Sequence, residues 1–314
     1  MNPPFISICI PAYKRTDFLQ RLLDSIAIQT FTDFEVVVTD DSPSEEVSGL
    51  CRQYEDKFPL HYKRNALALG TPENWNESIR QAKGEWIKIM HDDDWFSTPI
   101  ALEKFFAVAQ REKAAMIFSS YNDFFLSSGK QRQIKIPALR LRQLKKEPVT
   151  LLSRNIIGPP SVIMHKNDGK YWYDPRMKWL VDIDMYIRRL KDDRIVYLPE
   201  ALINVGIGED QVTASVHNNP EVQIPEHFYF LEKTGIGSLA NILVYDYWWR
   251  FFRNFSLLSP DDILKSGYNG VIHPVMQSMM RWQKKLPRIV LETGLLSKFM
   301  MFIHFCLQRQ KLVV

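Results

Sequence analysis

Apolar and polar positions in the first 120 residues switch repeatedly between a period of two or a short apolar run and a period near 3.6. Residues 5–10 form a β-rich apolar run that stops at Pro11. Thr16 then opens a stretch whose apolar positions Phe18, Leu22, Leu23 and Ile26 share one helical face. Residues 34–39, centred on Val36, Val37 and Val38, read as a second buried strand, and residues 60–63 as a short third. Residues 74–82 follow helical spacing up to Gly84, and residues 85–90 form a fourth strand. Pro99 begins a helix to about residue 113, and residues 115–119 form a fifth strand. Repeated β-α-β units predict an α/β fold with a mostly parallel, Rossmann-like sheet flanked by helices on both faces.

Later segments continue more loosely. Residues 161–165 read as a strand after Gly158-Pro159-Pro160. Apolar positions 179, 180, 183, 186, 187 and 190 mark a helix that carries Asp182 near its start, with Asp184 pointing elsewhere. Residues 194–198 read as a last core strand. Residues 130–146 hold seven basic side chains and no acid, which suits a solvated loop or a basic flap over an anion. From residue 221 the pattern becomes helical. The resulting expectation is a domain of residues 1–220, with a nucleotide-binding half at 1–120 and an acceptor half at 121–220, and a helical region at 221–314.

Composition adds bounds. The chain has 314 residues, 46% of them hydrophobic, and a net charge of +4, enough core for a folded protein and no strong pull toward nucleic acid. Cys9, Cys51 and Cys306 are far apart and lack metal-ligand spacing, as expected of reduced thiols in a cytoplasmic protein. No charged leader precedes the first apolar run, and no apolar stretch approaches the length that spans a bilayer. The expected location is cytoplasmic or peripheral on the inner face of the cell membrane; oligomeric state stays open.

Two strands end in acidic pairs, Asp40-Asp41 and Asp93-Asp94, the latter within His91-Asp92-Asp93-Asp94. Consecutive carboxylates repel, and desolvating them is costly. A hard divalent cation, Mg²⁺ or Mn²⁺, relieves that repulsion. The alternative is a solvated acidic turn that caps the next helix. Two such turns at the carboxyl ends of parallel strands favour a shared ligand site on one rim of the sheet. His217 reads as an exposed loop residue or a metal ligand.

The C-terminal region holds an aromatic stripe with Tyr245, Tyr247, Trp248, Trp249, Phe251, Phe252 and Phe255. From Lys265 onward eight basic residues face the single acid Glu292, a formal +7. The stripe is either the core of this region or, beside that charge, an interface with anionic lipid.

Together these segments resemble glycosyltransferase family 2, inverting metal-dependent enzymes of GT-A fold. Ile8-Cys9-Ile10-Pro11-Ala12-Tyr13-Lys14-Arg15 is similar to the family's opening strand and its P-x-Y-N turn. Gln29-Thr30 through Glu35-Val36-Val37-Val38-Thr39-Asp40-Asp41-Ser42 is similar to its Q-T…E-I-I-V-V-D-D-G-S segment. Ala82-Lys83-Gly84-Glu85-Trp86-Ile87 and the Asp run are similar to A-x-G-E-Y-I-x-x-L-D-x-D-D. Lys14, Pro43, His91 and Val181 depart from the family's residues. The resemblance implies a nucleotide pocket lined by Pro11, Ala12, Tyr13 and Arg15, with Asp41 or Asp40 on the base and Asp92 at the ribose. It implies a divalent metal on Asp93 and Asp94, with the exact ligand among Asp92, Asp93 and Asp94 left open, and Asp182 as the base that deprotonates the acceptor. A carboxylate accepting from an imide N–H suits uracil or thymine, and a UDP-sugar is the favoured donor. The implied acceptor is a saccharide or a lipid-linked sugar in bacterial surface polysaccharide synthesis. The other readings are a sugar nucleotidyltransferase, disfavoured because Pro11-Ala12-Tyr13-Lys14-Arg15 has no glycine, and a nucleotide-binding or membrane-surface scaffold without catalysis.

Overall fold

The computed structural model describes residues 3–208, 216 and 218–312. It divides into two compact units. The first comprises Met1–Leu141, Ile156–Met177 and Asp184–Gln211; the second comprises Arg142–Asn155, Lys178–Ile183 and Val212–Val314.

The first unit is built on one sheet. Strands β1 (Ile6–Ala12), β2 (Phe34–Asp40) and β4 (Trp86–Ile89) are buried on both faces, as uninterrupted apolar runs require. Strand β3 (Leu60–Arg64) alternates exposed and part-buried residues, which fits its place at the sheet edge. The sheet order is β3-β2-β1-β4-β8-β6-β9-β5, where β5 is Trp95–Phe96, β6 Met116–Phe125, β8 Ile163–Lys166 and β9 Ile195–Ile207. Strand β7 (Gln131–Ile134) pairs with β6. The four strands from β3 to β4 are parallel. Strand β8 then runs antiparallel to both β4 and β6, and β6 is parallel to β9. The sheet is thus parallel from β3 to β4 and mixed beyond it.

Helix α1 (Thr16–Ala27) turns Leu19, Leu22, Leu23 and Ile26 to the core, and α4 (Ala101–Arg111) does the same with Leu102, Phe105 and Val108. Helices α2 (Glu46–Arg52) and α3 (Glu73–Gln81) complete the β-α repeats.

Two strands run well past their expected ends. Strand β9 reaches Ile207 because Pro199 and Glu200 bulge out of register, with Ser119 opposite Leu198 and Ser120 opposite Ala201. An exposed Pro-Glu pair inside a strand reads in sequence as an ending. The basic stretch at 130–146 is also ordered. Its first part is β7, where Arg132 pairs with Asp123 of β6, and its second is helix α5 (Ala138–Lys146). Neither a bare loop nor an unstructured flap describes it.

Helix α6 (Val181–Asp192) follows, with its first residues in the second unit. That unit continues as helices α7 (Pro220–Thr234), α8 (Ile242–Asn254), α9 (Pro260–Leu264), α10 (Pro274–Lys285), α11 (Arg288–Glu292) and α12 (Gly294–Gln308). The aromatic stripe of α8 forms its core: Tyr245, Trp248, Trp249, Phe251 and Phe252 are buried. Of the two readings of the stripe, core is the one realised.

Candidate active site

The carboxyl ends of β2 and β4 flank the end of β1. Ala12 lies opposite Asp40, Ala12 O accepts from Asp41 N at 3.1 Å, and Cys9 O accepts from Met90 N at 2.9 Å. Both acidic turns therefore meet the turn Tyr13-Lys14-Arg15. Lys14 holds the left-handed conformation, φ 64°, and its amide donates to Ser42 Oγ at 2.7 Å. Asn is more at ease than Lys in that conformation, which gives a physical reason for Asn in the family pattern at this position. Ala12 is buried, Pro11 half-buried, and Tyr13 is 49% exposed.

The two carboxylates after β2 have different tasks. Asp40 is fully buried; its oxygens accept from Ser42 N and from Tyr62 Oη, each at 2.8 Å. It closes the turn. Asp41 accepts from Asn65 Nδ2 at 2.8 Å, Leu69 N at 3.0 Å and Gly70 N at 2.8 Å, so it shapes the 65–70 loop. Asn74 ties the same corner together, donating to Thr39 O at 3.1 Å and accepting from Asn65 at 3.0 Å.

The second acidic turn is more concentrated. Ligand atoms of His91, Asp93 and Asp94 all lie within 4.8 Å of one another. Asp94 Oδ1 accepts from Gly206 N at 3.1 Å and also bonds Ser161. Ser161 Oγ accepts from His91 N at 2.9 Å, and the carbonyl of Ser161 accepts from the buried Lys88 ammonium. A Cβ on Gly206 would stand 2.4 Å from Asp93 O, so glycine is what lets β9 approach the turn. Arg15 bridges Asp92, through a short contact, and Asp93, at 3.2 Å. The Arg21 guanidinium lies 3.9 Å from the Trp95 ring centroid and feels the charges of Asp93 and Asp94.

Burial controls the protonation of this turn. It pushes Asp92 up to about 7, against the opposing pull of Arg15, and raises Asp94 well above the usual carboxylate range, with Asp93 adding to the rise. Burial opposes the charge on Arg15, but Asp92 and Asp93 outweigh it and raise its pKa. Burial lowers His91 to about 4, so its imidazole is neutral at pH 7. Among the described residues His91 Nε2 is buried without a hydrogen-bond partner. A neutral imidazole with an orphaned nitrogen beside two crowded carboxylates fits a divalent metal: the residues present satisfy the donor set such an ion prefers.

Asp182 is described within the second unit. Its Oδ1 accepts from Ile183 N at 2.8 Å and its Oδ2 from Asn155 Nδ2 at 2.9 Å. The amides just before α6 are taken by Glu226 instead, which accepts from Lys178 N at 3.0 Å, Trp179 N at 2.9 Å and Leu180 N. Burial, reinforced by the charge of Glu226, raises Asp182 to about 7 against the pull of its own hydrogen bonds. Asp184 is separately paired with Arg188 at 2.8 Å.

Pro11, Ala12, Tyr13, Arg15, Asp40, Asp41, Asp92, Asp93 and Asp94 all belong to one rim of the first unit; His217 lies outside the described residues. Arg80 is engaged by Glu73 and Glu77 on its own helix. Sequence reading missed His91 as a candidate ligand, Asn65 and Asn74 as the corner's braces, Lys88 and Ser161 under the second acidic turn, and Glu226. His91 alone carried a local signal, its adjacency to the Asp run. Lys88 sits three residues before His91 but inside a strand, where a single Lys in an apolar run carries no sign of its role; the rest come from distant segments with no shared motif.

Comparison with known proteins gives the family. The model of "Glycosyl transferase family 2" matches residues 7–169. An uncharacterized glycosyltransferase, RT0329, of Rickettsia typhi is 24% identical over 225 residues, 69% of each chain. The abequosyltransferase RfbV of Salmonella typhimurium is 32% identical over 93 residues, 28% of each. Among solved structures, S. aureus TarS 1-349 in complex with UDP-GlcNAc superposes with TM-score 0.62 at 17% identity, covering 98% of this chain and 92% of that one. The chain spans about half, 52%, of the longer TarS structure. The mannosyltransferase PcManGT of Pyrobaculum calidifontis, in complex with GDP-Man and Mn²⁺, gives TM-score 0.57 at 11% identity over 99% of this chain and 88% of that one. The fold is GT-A, and the chain belongs to glycosyl transferase family 2.

Proposed function

We propose that this glycosyltransferase moves a sugar, with inversion, from a nucleotide-sugar donor to a saccharide or lipid-linked acceptor in the synthesis of a bacterial surface polysaccharide. A UDP-sugar is the favoured donor. The carrying observation is the gathering of His91, Asp93 and Asp94 within 4.8 Å, beside the Tyr13–Arg15 turn and Asp41. Solved relatives in complex with UDP-GlcNAc or with GDP-Man and Mn²⁺ support the reading.

In this account the exposed Tyr13 ring stacks on the base, and Asp41 reads its imide N–H. Both carboxylates accept hydrogen bonds from the protein, but Asp40 has no exposed surface whereas Asp41 keeps a little, so Asp41 is the one a base can reach. Asp92, held by Arg15, faces the ribose. His91, Asp93 and Asp94 would hold Mn²⁺ or Mg²⁺, which when bound neutralises charge on the pyrophosphate leaving group. Arg15 and Arg21 add positive charge on the same rim. Asp182 takes the proton from the acceptor hydroxyl as that oxygen attacks; a carboxylate with a pKa of about 7 is a stronger base at neutral pH than an ordinary Asp. Residues 1–220 carry this chemistry in our reading, and the protein works in the cytoplasm, on the inner face of the membrane when its acceptor is lipid-linked. A melting screen with UDP-, GDP- and dTDP-sugars plus Mn²⁺ identifies the donor, because a ligand of the native state raises the melting point. NMR of the product then reads its anomeric configuration. No stabilisation by any of them, and no transfer, would contradict the proposal.

A further inference from the structure

The aromatic stripe of α8 is core, yet an apolar surface does exist elsewhere in the second unit. Helix α12 buries one narrow face: Ser297, Met301, His304 and Phe305. That face is anchored by polar contacts, Trp249 Nε1 donating to Ser297 Oγ at 3.0 Å and the His304 ring bonding Tyr245 Oη at 2.6 Å and Ser278 Oγ at 3.0 Å. The opposite face should be polar in a helix that packs on water. Instead it presents Leu295, 84% exposed, Phe299, 60% exposed, and Phe302, 49% exposed, with Leu296 and Leu307 on its flank. Lys298 is the sole charged residue of the helix. Ile289, just before it, is exposed as well.

The charge surrounding this face is predominantly positive, with Arg288 alone, among the described residues, paired to an acid, Glu292, at 2.6 Å. Arg281, Lys284, Lys285 and Arg288 precede α12, Arg309 and Lys311 follow it, and all six are exposed. Between Arg281 and Lys311 the only acid is Glu292. A second copy of this chain docked through the same face would bring these cations together, which disfavours self-association. At 15 residues, or about 22 Å, α12 is too short to cross a bilayer, and no helix among the described residues is long and apolar enough to do so. Apolar side chains outward and cations at both ends match the boundary between acyl chains and anionic headgroups.

We infer that the outer face of α12 lies in the surface of an anionic membrane, with Leu295, Phe299 and Phe302 inserted and the flanking lysines and arginines on the headgroups. The inference stands apart from sugar transfer, and its test uses neither donor nor acceptor.

The full chain is sedimented with vesicles of phosphatidylcholine alone and with vesicles containing phosphatidylglycerol, at low and high salt. Binding to the anionic vesicles is expected, weakened but not abolished by salt. The triple variant Leu295→Ser, Phe299→Ser, Phe302→Ser should lose roughly tenfold or more in partitioning at either salt. The double variant Lys284→Glu, Lys285→Glu should lose a similar factor at low salt only. Both alter exposed side chains, so melting points should match the parent; if the triple variant melts early, the charge variant still decides. Failure of the parent to bind anionic vesicles, or equal binding by parent and charge variant at low salt, overturns the inference. So does sedimentation equilibrium showing a dimer that the triple variant loses, which assigns the face to a second copy.

Discussion

The Lys88 ammonium donates to the carbonyl of Ser161 with neither group exposed to solvent. Ser161 in turn carries His91 N and Asp94, so a buried cation sits beneath the proposed metal turn. Burial lowers Lys88 from an ordinary 10.5 to about 7, although Asp94 pulls the other way. The unfolded chain therefore holds more protons here between those two values. Stability relative to Lys88→Met should be flat below about pH 7 and climb up to about pH 10. Denaturant titrations of both proteins across that range check it; a difference independent of pH would show that the ammonium is not desolvated.

Gly206 is the close-approach residue. Gly206→Ala places a methyl against Asp93 O and should cost about 1–3 kcal/mol of stability through overpacking. It should also weaken Mn²⁺ binding, because the backbone that must move carries Asp93. A stable variant with parental metal affinity would show that the turn yields freely.

His91 is the proposed ligand that no motif supplies. His91→Ala should lower Mn²⁺ affinity roughly tenfold or more, read by electron paramagnetic resonance of free Mn²⁺. The ring also packs on Trp75, centroids 4.7 Å apart, so His91→Gln is the companion that keeps bulk. Parental affinity in both variants would remove His91 from the site.

Asp182 carries the pH prediction. Its carboxyl must be ionised to accept a proton, and its raised pKa puts that ionisation at about 7. The rate of transfer should rise with pH to about 7 and level off above it. Asp182→Asn should reduce kcat by roughly 10²–10⁴ while leaving donor affinity intact. Glu226→Gln removes a negative charge that raises Asp182, so the limb should move to lower pH. An unmoved limb would mean that another group titrates.

How much of this was readable in advance follows from distance along the chain. The strands β1, β2 and β4 and their acidic ends were legible because each is a contiguous apolar run followed by carboxylates, and parallel pairing puts such ends on one rim. The convergence of the two acidic pairs on one rim followed from that alone; their meeting at the Tyr13–Arg15 turn needed the order β2-β1-β4, which puts β1 between them. The antiparallel insertion of β8 was not legible, since a four-residue strand carries no signal of direction. Strand β7 was hidden by charge: Arg132 is basic for its partner Asp123 on β6, a pairing that composition cannot reveal. The division of labour between Asp40 and Asp41 needed Tyr62 and residues 65–70, which only the fold brings near. The exposed face of α12 was missed because the nearby stripe of α8 looked more lipid-like, and aromatic content does not tell buried from exposed.

The central claim is that the turn after β4 grips a nucleotide diphosphate through a divalent metal. Calorimetric titration of UDP into the protein, with Mn²⁺ and then with a chelator, measures this directly. We predict that chelation weakens UDP binding by roughly tenfold or more, and that Asp93→Asn binds UDP with the same low affinity whether or not Mn²⁺ is present. Equal UDP affinity with and without metal in the parent protein, or a full Mn²⁺ effect surviving in Asp93→Asn, would contradict the account.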